Sequence, residues 1–304
     1  MGREKLKNNK ILIIGGCGYI GSRLYEYFKN KKKYERVDTV DLEWFGNFVN
    51  PKNIRKDYVG LTKRFYGKYS VVILLAGHST VGMCERDMLG SLKNNVEGFV
   101  DLITKLSSQK FIYTSTYRLY SNIHGRHAKE TDICGNPLSI YDLTKKTIDD
   151  YISFSSLEFY SLRMATVNGY SPNLRLNQAI NKIVYNSMFN KYTEIYNQSS
   201  IFSVLGIEDL CRAIEKIILG TDKRGIYNLA SFESSINDIV KVASKSLPGV
   251  KVSRNKSTKK SIHILIDTSK FQKKFNFKFE ETTESIVESL VKNYSKKTHT
   301  LKSY

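Results

Sequence analysis

Residues Lys10–Phe28 read KILIIGGCGYIGSRLYEYF, an aliphatic run followed by glycines at 15, 18 and 21 and then an amphipathic stretch. A short aliphatic run that ends in glycine fits a strand buried on both faces. The glycines at its end each have a physical use. Gly15 permits a tight turn, Gly18 lets the backbone approach a bound group, and Gly21 lets the next helix pack close to the strand. The first helical turn, at Tyr19 and Ile20, then offers free N–H groups and a partial positive charge to an anion such as a pyrophosphate. The pattern continues down the chain. Strand-like runs at 36–42, 70–77, 110–116 and 158–166 alternate with helical stretches at 19–30, 85–107 and 139–157. Such alternation predicts an α/β fold: a doubly wound parallel sheet with helices on both faces.

Asp41 ends the second strand, twenty residues after Gly21. At that distance from a glycine turn a carboxylate accepts hydrogen bonds from both ribose hydroxyls of a dinucleotide and repels a 2′-phosphate. The expected cofactor is NAD rather than NADP. The segment GGCGYIGS lacks the Gly-Lys-Ser/Thr ending of a phosphate-binding P-loop. Tyr141 and Lys145 stand four apart, on one face of a helix. An ammonium beside a phenol favours the phenolate, so the pair suits proton transfer from a hydroxyl. With 20 tyrosines in the chain, that spacing gains its weight from the glycine turn ahead of it.

The 304 residues allow one large domain or a domain with a smaller lobe. After Arg163 the alternation loosens. The boundaries read as a dinucleotide-binding domain over 1–166, to which 201–230 returns, and a mixed α/β substrate lobe over 167–200 and 231–304. The formal charge is +19, yet the lysines are scattered, with short runs only at Lys31–Lys33, Lys259–Lys260 and Lys296–Lys297. This reads as solvated faces that attract a phosphorylated small substrate, not as a nucleic-acid interface. No apolar run approaches the ~20 residues needed to span a bilayer, so no membrane partner is expected. The start MGREKLKNNK is polar, and Leu6 breaks a myristoylation pattern. The four cysteines form no C-x-x-C pair, and His124 and His127 read as a polar loop, so no metal is expected. A cytoplasmic protein follows.

These motifs together resemble the extended short-chain dehydrogenase/reductases, the family of NAD-dependent nucleotide-sugar epimerases and dehydratases. The resemblance runs over nearly the whole chain and includes the G-x-x-G-x-x-G spacing. It implies a Rossmann domain and an NDP-sugar substrate. It implies that Asp57, in IRKDYVG after a third strand, holds the adenine, and that Leu75, Ala76 and Gly77 of ILLAGHS line the cofactor, with Ser79 beside the substrate. Asn95 of KNNVEG is implied at the substrate. In TSTYRLY the resemblance implies Thr116 as the catalytic hydroxyl, or Ser115 if the strand end shifts by one. Tyr141 becomes the base and Lys145 its partner, which also reaches the nicotinamide ribose. The resemblance further implies a homodimer through the helices near 85–107 and 139–157.

The chain also departs from the family's patterns. Dehydratases carry an acidic pair after the catalytic Thr; here Tyr117 and Arg118 stand there. Epimerases carry a diphosphate-clamping Arg ahead of the segment matching IEDLCRAI; SSIFSVLG has none. The substrate Asn after the Leu-Arg run is Thr166, with Asn168 two residues on. Arg118, Arg175, Lys259 and Lys260 are the candidate diphosphate ligands. The run RMATVNGYSPNLRLN also resembles capsule-pathway dehydrogenases that act on GDP-heptoses. The expected activity is oxidation of a sugar hydroxyl at C4, with hydride returned to the opposite face. The alternatives are a net 4-dehydrogenase or ketoreductase and a non-catalytic NAD-binding regulator, against which the Tyr141/Lys145 pair argues.

Overall fold

The structure is a computed structural model that describes residues 9–196, 198–221, 223–255, 263–294 and 299–301. Lys259 and Lys260 lie outside the described residues. The strands are β1 (Lys10–Ile14), β2 (Arg36–Val40), β3 (Val71–Leu74), β4 (Lys110–Thr116), β5 (Phe159–Met164), β6 (Thr166–Asn168) and β7 (Asn173–Arg175). There follow β8 (Tyr192–Ile195), β9 (Ile201–Gly206), β10 (Gly225–Leu229), β11 (Phe232–Ser235), β12 (Lys251–Arg254) and β13 (His299–Leu301). The helices are α1 (Tyr19–Lys29), α2 (Lys63–Tyr66), α3 (Val81–Arg86), α4 (Met88–Leu92), α5 (Gly98–Lys105), α6 (Ile140–Ile152) and α7 (Ala179–Phe189). Then come α8 (Ile207–Leu219), α9 (Ile236–Ser246), α10 (Ser269–Phe275) and α11 (Thr283–Asn293).

Six parallel strands form the main sheet in the order β10-β5-β4-β3-β1-β2. The strand order reverses at β1, which lies between β2 and β3. Ile14 is level with Val40 on one side and Leu74 on the other. The chain therefore leaves three strands side by side at Gly15, Asp41 and Leu75, which opens a crevice at the carboxyl ends. The aliphatic strands are buried on both faces. One core gathers Ile11, Ile13, Ile73 and Leu162 with α1 and α8; the other gathers Leu12, Ile14, Val72 and Tyr113 with Phe99, Leu102 and Ile148 of α5 and α6. This is a Rossmann-type α/β domain.

The smaller lobe is mixed. β6 runs parallel to β9, and β9 antiparallel to β11; β8 pairs with β12 and β7 with β13. Helices α7, α9 and α11 pack on one another beside these strands. Within 201–230, α8 lies against α1 and β10 closes the main sheet, whereas β9 joins the lobe's three-stranded sheet. No helix of the described residues is long and apolar enough to cross a membrane.

Two elements differ from the sequence pattern. The third strand expected before Asp57 is a single bridge, Val40 with Ile54. Side chains there do the work of a ladder: Asn47 Oδ1 accepts from the Val49 and Asn50 N–H groups, and Asn53 Nδ2 donates to the Asp41 carbonyl at 3.2 Å. The helix expected over 85–107 is broken at Asp87, whose carboxylate caps α4 through the Gly90 N–H at 2.9 Å. A π-type turn over Lys93–Glu97 then leads into α5.

Candidate active site

A cavity of about 930 Å³ lies at the carboxyl ends of the main sheet. Gly15 turns the chain out of β1 at φ +87°, and a Cβ there would stand 2.5 Å from the Ala76 nitrogen. A Cβ on Gly21 would collide with the Gly15 carbonyl oxygen. The protein's own packing thus requires both glycines. A Cβ on Gly18 would meet nothing closer than 3.5 Å, yet Gly18 faces the cavity. Space for a ligand is the remaining reason for a bare Cα there. Gly18 caps α1, no side chain caps that end, and no acid sits in the first turn, so the helix presents its partial positive charge to the cavity.

Asp41 holds the glycine loop from the adjacent strand. Its Oδ2 accepts the Cys17 N–H at 2.9 Å and its Oδ1 the Glu43 N–H at 2.7 Å. Burial pushes its pKa up, and those backbone N–H groups work against the rise. Asp57, Tyr19, Ile20, Leu75, Ala76 and Gly77 also line the cavity. A bare Cα at a helix N-terminus, with a carboxylate on the next strand, fits the pyrophosphate and ribose of a dinucleotide.

Thr116, Tyr141 and Lys145 all face this cavity. Thr116 ends β4; its Oγ1 accepts the Arg118 N–H at 3.2 Å. Ser139 caps α6 by accepting the Asp142 N–H at 3.1 Å, which starts the helix one residue before Tyr141. Lys145 Nζ donates to the Thr114 carbonyl at 2.7 Å. The lysine was expected to lower the phenol's pKa. Instead, burial pushes Tyr141 up to about 12, opposed most strongly by Arg175 and then by Arg118. Burial also pulls Lys145 down to about 8.

The substrate candidates divide. Arg118 faces the cavity, but its fork grips the buried Asp142 at 2.8 and 3.1 Å. Arg175 faces the cavity beside Ser79, bonding the Ser79 carbonyl at 3.1 Å and Asn177 at 2.7 Å, and burial lowers its pKa. Asn95 and Asn168 do not line the cavity. Asn95 is buried behind it, accepting from the His78 N–H at 2.8 Å and donating to Thr144 at 3.2 Å, so it fastens the β3 turn to α6. Asn168 accepts the Ile180 N–H at 3.0 Å and donates to the Thr166 carbonyl, which ties β6 to α7. Sequence reasoning missed Trp44 and His78, which face each other edge-on in the cavity wall at 5.7 Å. The available signal was the position of the chain's single Trp, three residues after Asp41.

The profile of the NAD dependent epimerase/dehydratase family matches residues 11–230. The chain belongs to that family. Its cofactor is NAD, in agreement with the cavity. The epimerase/dehydratase chain is 24% identical over 274 residues to the dTDP-D-glucose 4,6-dehydratase of Dictyostelium discoideum, covering 79% of this chain and 62% of that protein's length. Among solved structures it resembles the UDP-N-acetylglucosamine 4-epimerase of Methanobrevibacter ruminantium, with TM-score 0.83, 19% identity and 95% and 100% of the two chains covered. The Bacillus cereus UDP-glucuronic acid 4-epimerase, solved with NAD, aligns with TM-score 0.78 and 21% identity over 94% and 100% of the chains. These likenesses extend the shared fold through the lobe that follows residue 230.

Proposed function

We propose that this protein is an NAD-dependent nucleotide-sugar epimerase that oxidises a sugar hydroxyl at C4 and returns the hydride to the other face. The observation that carries this is the placing of Tyr141 and Lys145 on α6 and of Thr116 at the end of β4, all on the cavity that fits NAD. Bound NAD supplies the hydride acceptor and donor. Tyr141 takes the hydroxyl proton, Thr116 orients the reacting oxygen, and Lys145 holds the nicotinamide ribose. Arg175 stands ready for an anionic part of the substrate, since its partners are a carbonyl, a hydroxyl and an amide oxygen rather than a carboxylate.

Elimination of water is disfavoured. It needs an acid at the departing hydroxyl. Tyr117 bonds Thr166 at 3.0 Å, and burial raises its pKa; Arg118 is held by Asp142. Asp142 is a carboxylate, but it is off the cavity and paired. The test is incubation with UDP-, GDP-, dTDP- and CDP-linked hexoses and heptoses, with products read by NMR. A 4-epimer without net NADH supports the proposal, and a 4-keto-6-deoxy sugar refutes it. A second reading, net 4-dehydrogenation, draws on the run Ser171–Asn177 that brings Arg175 into the cavity; stoichiometric NADH with a 4-keto sugar would favour it.

The same reading includes a homodimer. Met88, Leu89 and Leu92 on α4 and Leu143 and Tyr151 on α6 are exposed, with Phe154 just beyond α6 at 91%. The two helices touch, so they present one apolar face, suited to a second copy. Sedimentation of a Leu89→Glu/Phe154→Glu variant should show a monomer where the wild type is a dimer.

A further inference from the structure

Asp149 is 2% exposed, one turn along α6 from Lys145 and two turns from Tyr141. Its carboxylate accepts four hydrogen bonds. Tyr113 Oη (2.7 Å) and Ser161 Oγ (2.6 Å) donate to Oδ1; Ser115 Oγ (3.0 Å) and Arg163 Nε (2.9 Å) donate to Oδ2. Tyr113 and Ser115 belong to β4, and Ser161 and Arg163 to β5. Arg163 is itself buried, and its Nη1 donates to Tyr120 Oη at 2.8 Å, so the four bonds to the carboxylate are joined by one that fixes the guanidinium. Lys145 meanwhile donates to the Thr114 carbonyl, next to Ser115. Two successive turns of α6 are thus fastened to one short stretch of β4, the stretch that ends in Thr116. The helix cannot slide along that strand without breaking both attachments.

We propose that Asp149 is a positioning residue: it sets the register of α6 on β4, so that Tyr141 and Lys145 meet Thr116. The inference rests on the catalytic reading of those three residues. Lys145 Nζ lies 5.9 Å from the Tyr141 ring centre and donates to the Thr114 carbonyl. Burial lowers the Lys145 pKa to about 8, so its titration reports whether the lysine keeps its place on β4. A merely structural carboxylate would lose stability in proportion to the bonds removed, whichever strand they came from. A positioning carboxylate depends on β4, which carries Thr116, more than on β5.

The experiment uses the full chain in two arms. Competitive acetylation of lysines by acetic anhydride, read at Lys145 by peptide mass spectrometry across pH, needs no sugar substrate. The wild-type midpoint should lie near 8, and Asp149→Asn should lower it by about one pH unit, because a slipped α6 takes the Lys145 ammonium off the Thr114 carbonyl; an unchanged midpoint in a folded variant overturns the positioning role. The second arm compares Tyr113→Phe with Ser161→Ala, each of which deletes one buried donor to the same oxygen, using the nucleotide sugar found to be turned over. Tyr113→Phe should lower kcat by about fivefold with KM unchanged, and Ser161→Ala by less than about twofold. Equal losses in the two variants, or a loss confined to KM, overturn the positioning role. These conservative variants decide the matter if Asp149→Asn does not fold. If no sugar is turned over, the functional proposal has failed, whereas the acetylation midpoint still reports the hold of Asp149 on Lys145.

Discussion

Lys145 Nζ stands 5.9 Å from the centre of the Tyr141 ring and gives its hydrogen bond to the Thr114 carbonyl rather than to the phenol. The ammonium is therefore anchored to the strand that carries Thr116, while burial pushes the phenol's pKa up to about 12. Of the neighbouring charges, Arg175 and then Arg118 oppose that rise most, so they are the cations that would favour the phenolate in the proposed reaction.

Tyr141→Phe should lower kcat by about 10²–10⁴-fold while NAD affinity stays within about threefold, because the ring still packs and only the proton-transfer atom is gone. Turnover that needs the Lys145 ammonium should fall as pH rises through about 8. Rates measured with the accepted nucleotide sugar, beside calorimetry with NAD, check both statements. Near-normal turnover in the Phe variant would remove Tyr141 from the mechanism.

NAD should bind at least about tenfold more tightly than NADP, a difference of ~1.4 kcal/mol. Asp41 faces the cavity at the end of β2 with both oxygens fixed by backbone N–H groups, so it cannot swing away from a 2′-phosphate. Calorimetry with NADH and NADPH decides it; equal affinities would show that the carboxylate does not read the ribose.

What could be read from the sequence was local backbone geometry. The positive-φ turn at Gly15 and the close approach of Gly21 to the Gly15 carbonyl lie within one strand–turn–helix unit, and Asp41 follows from the length of that unit, whereas the crowding of Gly15 by Ala76 comes from the chain after β3. What could not be read was the choice of partners. Arg118 is held by Asp142, 24 residues away, and nothing in the spacing distinguishes that pair from a free cation awaiting phosphate. Asn95 and Asn168 look like substrate ligands by position, yet each answers a buried backbone N–H that appears only once helix and sheet have packed. The break at Asp87 is similar: a carboxylate that caps α4 competes with a continuous helix, and tertiary packing decides the outcome.

Trp44 is the single tryptophan of the chain and lies in the wall of the cavity, half-exposed and edge-on to His78. Its emission overlaps the absorption of reduced nicotinamide, so NADH bound in this cavity should quench Trp44 fluorescence by energy transfer and light up the nicotinamide band. NAD, which lacks that absorption, should not produce the sensitised band. Trp44→Phe should abolish the signal and leave turnover within about threefold, because the indole belongs to the cavity wall and not to the proton-transfer group. Sensitised emission that persists in the Phe variant would mean that tyrosines, not Trp44, report the cofactor.

Glu281 sets a stability that depends on pH. Its Oε2 accepts the Glu208 and Asp209 N–H groups at the start of α8, at 2.9 and 3.0 Å, while Asp209 in turn accepts from the Glu280 and Glu281 N–H groups. Burial pushes its pKa from 4.5 up to about 7, the Asp209 charge adding to the rise and the two N–H bonds opposing it. The folded value lies above the unfolded one. The favourable contribution is therefore fully present below the unfolded value and is lost as pH rises through about 7. Above that pH the ionised carboxylate costs on the order of 1–3 kcal/mol. Glu281→Gln keeps an oxygen for the two helix N–H groups and removes the charge. Thermal unfolding should show the Gln variant more stable than the wild type at pH 8.5, with the advantage gone or reversed at pH 5. A difference of the same sign and size at both pH values would mean that Glu281 acts through packing alone and carries no titrating charge.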